Sequence, residues 1–248
     1  MKALILAAGR GTRIRSVHGE HPKCLISSSD GEAILDHQIH ALFAADIREI
    51  GIVVGYESEQ IIKHVETRYR EHLHRFCFIH NPKFETTNNI YSLWVARDWL
   101  RGEAFMCLNA DVLCEPDILI PAARTTAPIS MVVDPQWRDE TMKVIIRNGR
   151  VAKMSKKIPR SEFSGTYIGI TTFSVGIQRD FFRSLDKLVA GGHVTEFFNV
   201  AVQELADRGV KVGFTSTAGL SWAEIDDPAD LAFAREHVFP KLAYAAAA

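Results

Sequence analysis

Two glycines, two arginines and a lysine near the start of the chain have the types and spacing to hold a phosphate. Gly9-Arg10-Gly11-Thr12-Arg13 follows the apolar run Lys2-Ala3-Leu4-Ile5-Leu6-Ala7-Ala8, and His21-Pro22-Lys23-Cys24-Leu25 comes soon after. Glycines leave the backbone open enough for an anion to reach its N–H groups. Arginine and lysine supply the charge and the donors that a polyphosphate needs. Two better-known phosphate loops do not fit. Gly-Lys-Ser/Thr after four intervening residues is absent. The dinucleotide fingerprint needs a third glycine, where this chain has Ile14. A glycine pair after a strand is also what a plain tight turn looks like, and Thr12-Arg13 with Pro22-Lys23 makes the pattern specific.

The elements that must position these residues alternate between strand and helix. After the opening strand, Ile34 to Ile47 carries apolar residues at helical spacing, Glu49 to Gly55 reads as a buried strand, and Glu59 to Tyr69 as a helix. Phe76 to Ile79 is a strand. Asn88 or Asn89 can cap a helix running to about Leu100. Phe105 to Leu108 is a strand that ends at Asn109-Ala110-Asp111. This order predicts an α/β fold with a doubly wound, mostly parallel sheet. In such sheets ligands bind outside the carboxyl ends of the strands, where the glycine loop and Asp111 both fall. The pattern changes after Ile129. Met142 to Ile146, Asn148-Gly149 and Val151 to Met154 predict a hairpin with an Asn-Gly turn. A strand at Tyr167 to Phe173, helices at Arg179 to Val189 and Thr195 to Ala206, a strand at Val210 to Thr215 and a closing helix from Pro228 complete the order. With no repeat, linker or clear boundary, a single domain over 1–248 is expected, its halves meeting near residue 128. Ala243 to Ala248 reads as a frayed tail.

Composition excludes several classes. The 248 residues are 47% hydrophobic, enough for a compact core. Lys+Arg is 29 and Asp+Glu is 30, a formal charge of -1, so neither nucleic acid nor an anionic membrane is an expected partner. No apolar run reaches the ~20 residues of a membrane span, and no signal cleavage site precedes the glycine loop. A cytoplasmic protein is expected. Cys24, Cys77, Cys107 and Cys114 form no Cys-x-x-Cys pair, and the scattered histidines read as surface residues. Tyr91 and Trp94 share a helix face and read as core.

Leu6-Ala7-Ala8-Gly9-Arg10-Gly11-Thr12-Arg13 with Pro22-Lys23 resembles the signature of the nucleotidyltransferases that activate sugar phosphates and phospho-alcohols. Asn88-Asn89-Ile90-Tyr91-Ser92-Leu93 is similar to a segment of the bacterial phosphocholine and aminoethylphosphonate cytidylyltransferase branch. Asn109-Ala110-Asp111 resembles the family's metal-binding turn, and Trp222-Ala223-Glu224-Ile225-Asp226-Asp227-Pro228 its C-terminal metal site. The resemblance implies a Rossmann-like nucleotidyltransferase fold with a small hairpin subregion for the acceptor. It implies magnesium held by Asp111 and Asp226, CTP as donor, and a small phosphorylated or phosphonate acceptor. Leu6, Ala8, Gly9, Arg10, Gly11 and Thr12, with Asn88 and Asn109, are then the nucleotide contacts. Arg13 would neutralise the leaving pyrophosphate, and Lys23 would reach the α-phosphate or the acceptor phosphate. Many relatives carry an acid where this chain has Asn109, so a positioning role is expected there. The family's acceptor-facing lysine matches Lys156, with Lys157 and Lys143 as rivals.

Such a transfer needs positioning and charge more than covalent help. For the acceptor, Trp137, Tyr167 and Trp222 could border a quaternary ammonium by cation–π attraction, about 0.5–2 kcal/mol per contact. The competing expectation is that such aromatics are core or rim. Glu196 could meet a primary amine, or simply serve a helix dipole. Two other functions stay open: a sugar-1-phosphate nucleotidyltransferase, and a nucleotide-binding regulator without activity.

Overall fold

The computed structural model describes residues 1–28 and 31–242, apart from the side chain of His18; the alanine tail from 243 lies outside the described residues. The chain runs β1 (Lys2–Leu6), α1 (Arg15–His18), α2 (Ile34–Ala44), β2 (Glu49–Val54), α3 (Ser58–Arg68), β3 (Phe76–His80), α4 (Asn89–Leu100), β4 (Phe105–Asn109), β5 (Val112–Cys114), α5 (Leu119–Ala123), β6 (Ile129–Asp134), β7 (Lys143–Arg147), β8 (Arg150–Ser155), β9 (Gly165–Phe173), α6 (Gln178–Ala190), α7 (Asn199–Asp207), β10 (Val212–Ser216), β11 (Trp222–Glu224) and α8 (Pro228–His237).

The central strands read as unbroken apolar runs because helices cover both sheet faces. Along β1, Leu4 and Leu6 turn to one core with Ile90 and Leu93 of α4 and Phe181 of α6. Ala3 and Ile5 turn to the other, with Leu35 and Ile39 of α2 and Ile61 of α3. Each fully buried leucine or isoleucine contributes about 2 kcal/mol.

The strand order is β10-β6-β9-β4-β1-β2-β3, with the β7–β8 hairpin joined to β9. β1, β2, β3 and β4 are mutually parallel, as is β10 with β6. From β1 the chain winds through β2 to β3, then crosses back to lay β4 on the other side of β1. The gap between β1 and β4 is therefore the topological switch point, where such sheets bind ligands. β9 runs antiparallel to both β4 and β6. A register shift opposite Met131 and Val133 marks a bulge in the β6–β9 pair. Gly169 sits there at φ +86, and a Cβ on it would lie 2.8 Å from Val112 Cγ2 and 2.9 Å from Asn109 Nδ2.

The expected hairpin forms as β7–β8, and Asn148 and Gly149 both have positive φ, 51 and 68, the type I′ turn that suits strand twist. Asn88 caps α4, its side chain accepting from the Asn89 N–H. One expectation needs correction. The helix expected from Thr195 begins only at Asn199, and residues 194–198 have neither helix nor strand. The strands β5 and β6 and the short helix α5 were not anticipated. β6 is buried along its whole length, and β5 is only three residues long.

Candidate active site

A cleft of about 360 Å³ opens at the switch point. The glycine loop forms one wall. Gly11 stands in the left-handed region at φ +58, and a Cβ there would come 3.0 Å from Lys23 Cβ. Glycine at this place lets the loop fold over the lysine stem. Ile14 is fully buried with Leu113, Ala223 and Ile225. That is why no third glycine follows: the residue anchors the turn in a side core.

A small ribbon assembles the acidic centre. β5 and β11 pair antiparallel, with Glu224 opposite Val112, and the Ile225 N–H donates to Asp111 O at 3.0 Å. Gln38 of α2 donates to both Asn109 O and Val112 O at 2.8 Å, clamping the turn that carries Asp111. On the other side Asp227 caps α8, and Asp230 Oδ2 accepts from the Asp226 N–H at 2.9 Å. Residues far apart in sequence thus hold two carboxylates side by side.

Lys23 stands between them. Its Nζ is 2.7 Å from Asp111 Oδ2 and 2.7 Å from Asp226 Oδ1, and Arg13 reaches Asp226 Oδ2 at 2.8 Å. Burial alone would lower the lysine, but Asp111 and Asp226 outweigh it and its ammonium is pushed up to about 12. Burial likewise opposes ionisation of Asp226, and Lys23 and Arg13 overcome it, holding its carboxyl below the usual range. Burial, then Asp111 and Asp226, push Glu224 up to about 8. Among the described residues, Asp111 Oδ1 is buried without a hydrogen-bond partner.

Of the residues singled out in the sequence, Leu6, Ala8, Gly9, Gly11, Thr12, Arg13, Lys23, Asn88, Asn109, Asp111, Lys156, Tyr167 and Asp226 line the cleft. Arg10, Trp137, Glu196 and Trp222 do not. Arg10 turns away to pair with Glu85, over the rings of Tyr56 and Phe84. Trp222 is 2% exposed. Its indole N–H donates to Asp134 Oδ2 at 2.6 Å, and Arg138 covers its face, so the ring has no face left for an acceptor. Trp137 packs against Phe163 and lies under Lys143. Glu196 is exposed on the 194–198 turn. Tyr167 is buried, and its hydroxyl is shared with Thr171 Oγ1 at 2.8 Å. Of the three rival lysines only Lys156 lines the cleft, 5.4 Å from the Phe197 ring.

Other lining residues went unassigned. Asn81 is buried and donates to Ser92 Oγ at 3.0 Å. Thr87, Phe84, Met142, Phe197, Asn199 and Glu224 also face the cleft. Glu224 had a visible signal, since it stands two residues before Asp226 in the same acidic motif.

The chain belongs to the nucleotidyl transferase family, which it matches over residues 2–143, and it is accordingly a nucleotidyltransferase. It is 25% identical to CTP:phosphoglutamine cytidylyltransferase of Campylobacter jejuni over 93% of this chain and 98% of that protein. It is 36% identical to choline-phosphate cytidylyltransferase of Streptococcus pneumoniae over 100 residues, 40% of this chain and 41% of the other. The inositol-1-phosphate CTP transferase of T. maritima superposes with a TM-score of 0.84 at 22% identity, covering 100% of this chain and 98% of that one, a likeness of fold.

Proposed function

We propose that this protein transfers CMP from CTP to a small phosphorylated or phosphonate acceptor and releases pyrophosphate. The observation that carries this is the Lys23 ammonium held between Asp111 and Asp226, beside a glycine loop at the switch point. The names of the relatives, which include phosphoglutamine and choline-phosphate cytidylyltransferases, support cytidine as the base.

In this reading residues up to about 128 supply the nucleotide half of a single domain and the rest supply the acceptor half. The backbone from Ala8 to Thr12 cradles the triphosphate, with Asn88 and Asn109 at its edge. An oxygen of the acceptor's phosphate forms a bond to the α-phosphorus, and the bond from that phosphorus to the bridging oxygen of the β-phosphate breaks. Arg13 holds the negative charge that builds on the departing pyrophosphate. Lys23 holds the two phosphate groups together against their mutual repulsion, and Lys156 draws in the acceptor. These cations act where charge develops, the largest contribution a site of this kind makes.

Magnesium fits the acidic pair. Asp111 offers a buried oxygen without a partner, and Asp226 lies across Lys23 from it. Magnesium takes a few carboxylates and completes its shell with phosphate oxygens and water. When bound, the ion would neutralise phosphate charge. The described cysteines are all unpaired. Among the described residues no helix is long and apolar enough to cross a membrane.

The test is pyrophosphate release across five nucleotides and a panel of phosphocholine, 2-aminoethylphosphonate, an amino-acid phosphoramidate, inositol 1-phosphate and glucose 1-phosphate, with and without magnesium. Turnover is expected with CTP and a small non-sugar acceptor. Turnover confined to glucose 1-phosphate with UTP, dTTP or GTP would overturn it, as would nucleotide binding without release under any acceptor.

A further inference from the structure

The segment Asn88–Leu93 contributes Asn88 to the nucleotide side, which leaves Asn89 without a part. Its side chain sits where two walls of the cleft meet. Asn89 Oδ1 accepts from the Phe198 N–H at 2.9 Å. Asn89 Nδ2 points at Asn109 Oδ1, 3.5 Å away, at the outer limit of a hydrogen bond. The Asn88 N–H donates to Val194 O at 2.8 Å. The start of α4 is thus fastened to both ends of the 194–198 turn, and on its other side it faces the end of β4, two residues before Asp111.

What is fastened matters for the site. Residues 191–198 have neither helix nor strand, so no ladder of their own fixes them, and their position rests on contacts such as these. Phe197 within this stretch lines the cleft and is exposed, and Lys156 leans on it. Phe198, its neighbour, is fully buried and anchors the stretch in the core. The Asn89 amide is the joint between that anchor and the strand end that presents the carboxylate pair.

We propose that Asn89 is a positioning residue for the acceptor: it sets Phe197, and Lys156 against it, at the working distance from Asp111 and Lys23. This rests on the functional reading above, in which Lys156 draws in the acceptor, and on Phe197 lining the cleft beside it. Asn89 itself lines the cleft, and the part proposed for it runs through the Phe198 amide. Losing it lets the turn drift while the glycine loop keeps its place, so the two substrates are affected unequally.

The experiment compares wild type with Asn89→Ala, Asn89→Gln and Asn89→Asp, reading KM for nucleotide and acceptor separately, with amide hydrogen exchange at Phe198. One neutral hydrogen bond sets the scale, about a three- to tenfold effect. Asn89→Ala is expected to raise the acceptor KM by that factor, to leave the nucleotide KM within about twofold, and to speed exchange at Phe198. Asn89→Asp keeps an oxygen for the Phe198 N–H and loses the donor to Asn109, so exchange at Phe198 is expected to stay slower than in Asn89→Ala. Asn89→Gln keeps the amide but displaces it by one methylene, and should behave like Asn89→Ala; it serves if the alanine variant does not fold. Equal rises in both KM values, an unchanged acceptor KM in a folded Ala or Gln variant, or exchange at Phe198 as fast in Asn89→Asp as in Asn89→Ala would overturn the proposal. A wild type without turnover under any nucleotide and acceptor would instead overturn the functional reading.

Discussion

Asp36 and Asp111 are both shielded carboxylates beside positive charge, yet they serve opposite ends. Asp36, at the start of α2, is 0% exposed. Its Oδ1 accepts from His64 Nε2 and from Tyr69 OH, each at 2.9 Å, with Arg68 Nε at 3.3 Å, and its Oδ2 accepts from the Ala33 N–H at 2.8 Å. Burial opposes its ionisation, and these donors overcome that and hold its carboxyl below the usual value. Asp111 pairs with Lys23 and keeps a buried oxygen without a hydrogen-bond partner at the edge of the cleft. A network whose acceptors are all answered at once is finished as structure. One left with spare capacity beside a cavity is built to receive something.

The sharpest way to break the contrast is to delete the open carboxylates. Asp111→Ala and Asp226→Ala are each expected to cut kcat at least about a hundredfold while leaving the melting temperature close to wild type, since each removes a ligand for a charge-stabilising ion. Pyrophosphate release and a thermal melt measure both, and near-normal kcat in a folded variant removes that residue from the site. Next comes Lys23→Ala, expected to lower kcat by tens of fold, against Lys153→Ala on the exposed side of β8, expected within about twofold. If the two behaved alike, Lys23 would not lie at the reacting phosphates.

Asp36→Asn should show the reverse pattern. Removing one charge from a buried, answered network costs about 3 kcal/mol of stability, seen as a lower denaturation midpoint with unchanged kcat per folded molecule. A large loss of kcat there would dissolve the distinction between the two clusters. The same pair of proteins gives a pH test. A carboxyl held low in the folded state stabilises above its unfolded value, and that contribution is lost as pH falls through the folded one. The stability gap between wild type and Asp36→Asn is therefore expected to be full at neutral pH and to narrow below the ordinary aspartate value of 3.8. The smallest expected effect is at Trp137, which packs on Phe163 away from the cleft. Trp137→Ala should change the acceptor KM by less than about twofold, and a tenfold rise would restore the aromatic cage.

The architecture was legible where physics is local. Strands covered on both faces read as apolar runs, the Asn-Gly turn announced the hairpin, and the glycine loop lay next to its strand. What could not be read was pairing at a distance. Nothing near Gly165 to Phe173 says that β9 enters antiparallel between β4 and β6, because that depends on the neighbours it meets. Trp222 looked like a border residue from its place beside the acidic motif, yet pairing opposite Cys114 in the β5–β11 ribbon sets it in the core. Arg10 looked like a phosphate contact, and only the fold reveals Glu85 beside it. Glu196 was assigned a helix start, and Phe198 next to Asn199 took that place instead.

The ribbon also has a kinetic side. Lys23 and Asp226 are separated by 203 residues along the chain, and three residue pairs of β5 and β11, with the Ile225 N–H on Asp111 O, set the second carboxylate alongside the first. Contacts that close so long a loop form late, after nearby helices and neighbouring strands have gathered. A refolding chain should therefore regain its helical signal before its competence to turn over substrate. The interval between the two is the time the last strand needs to find its partner.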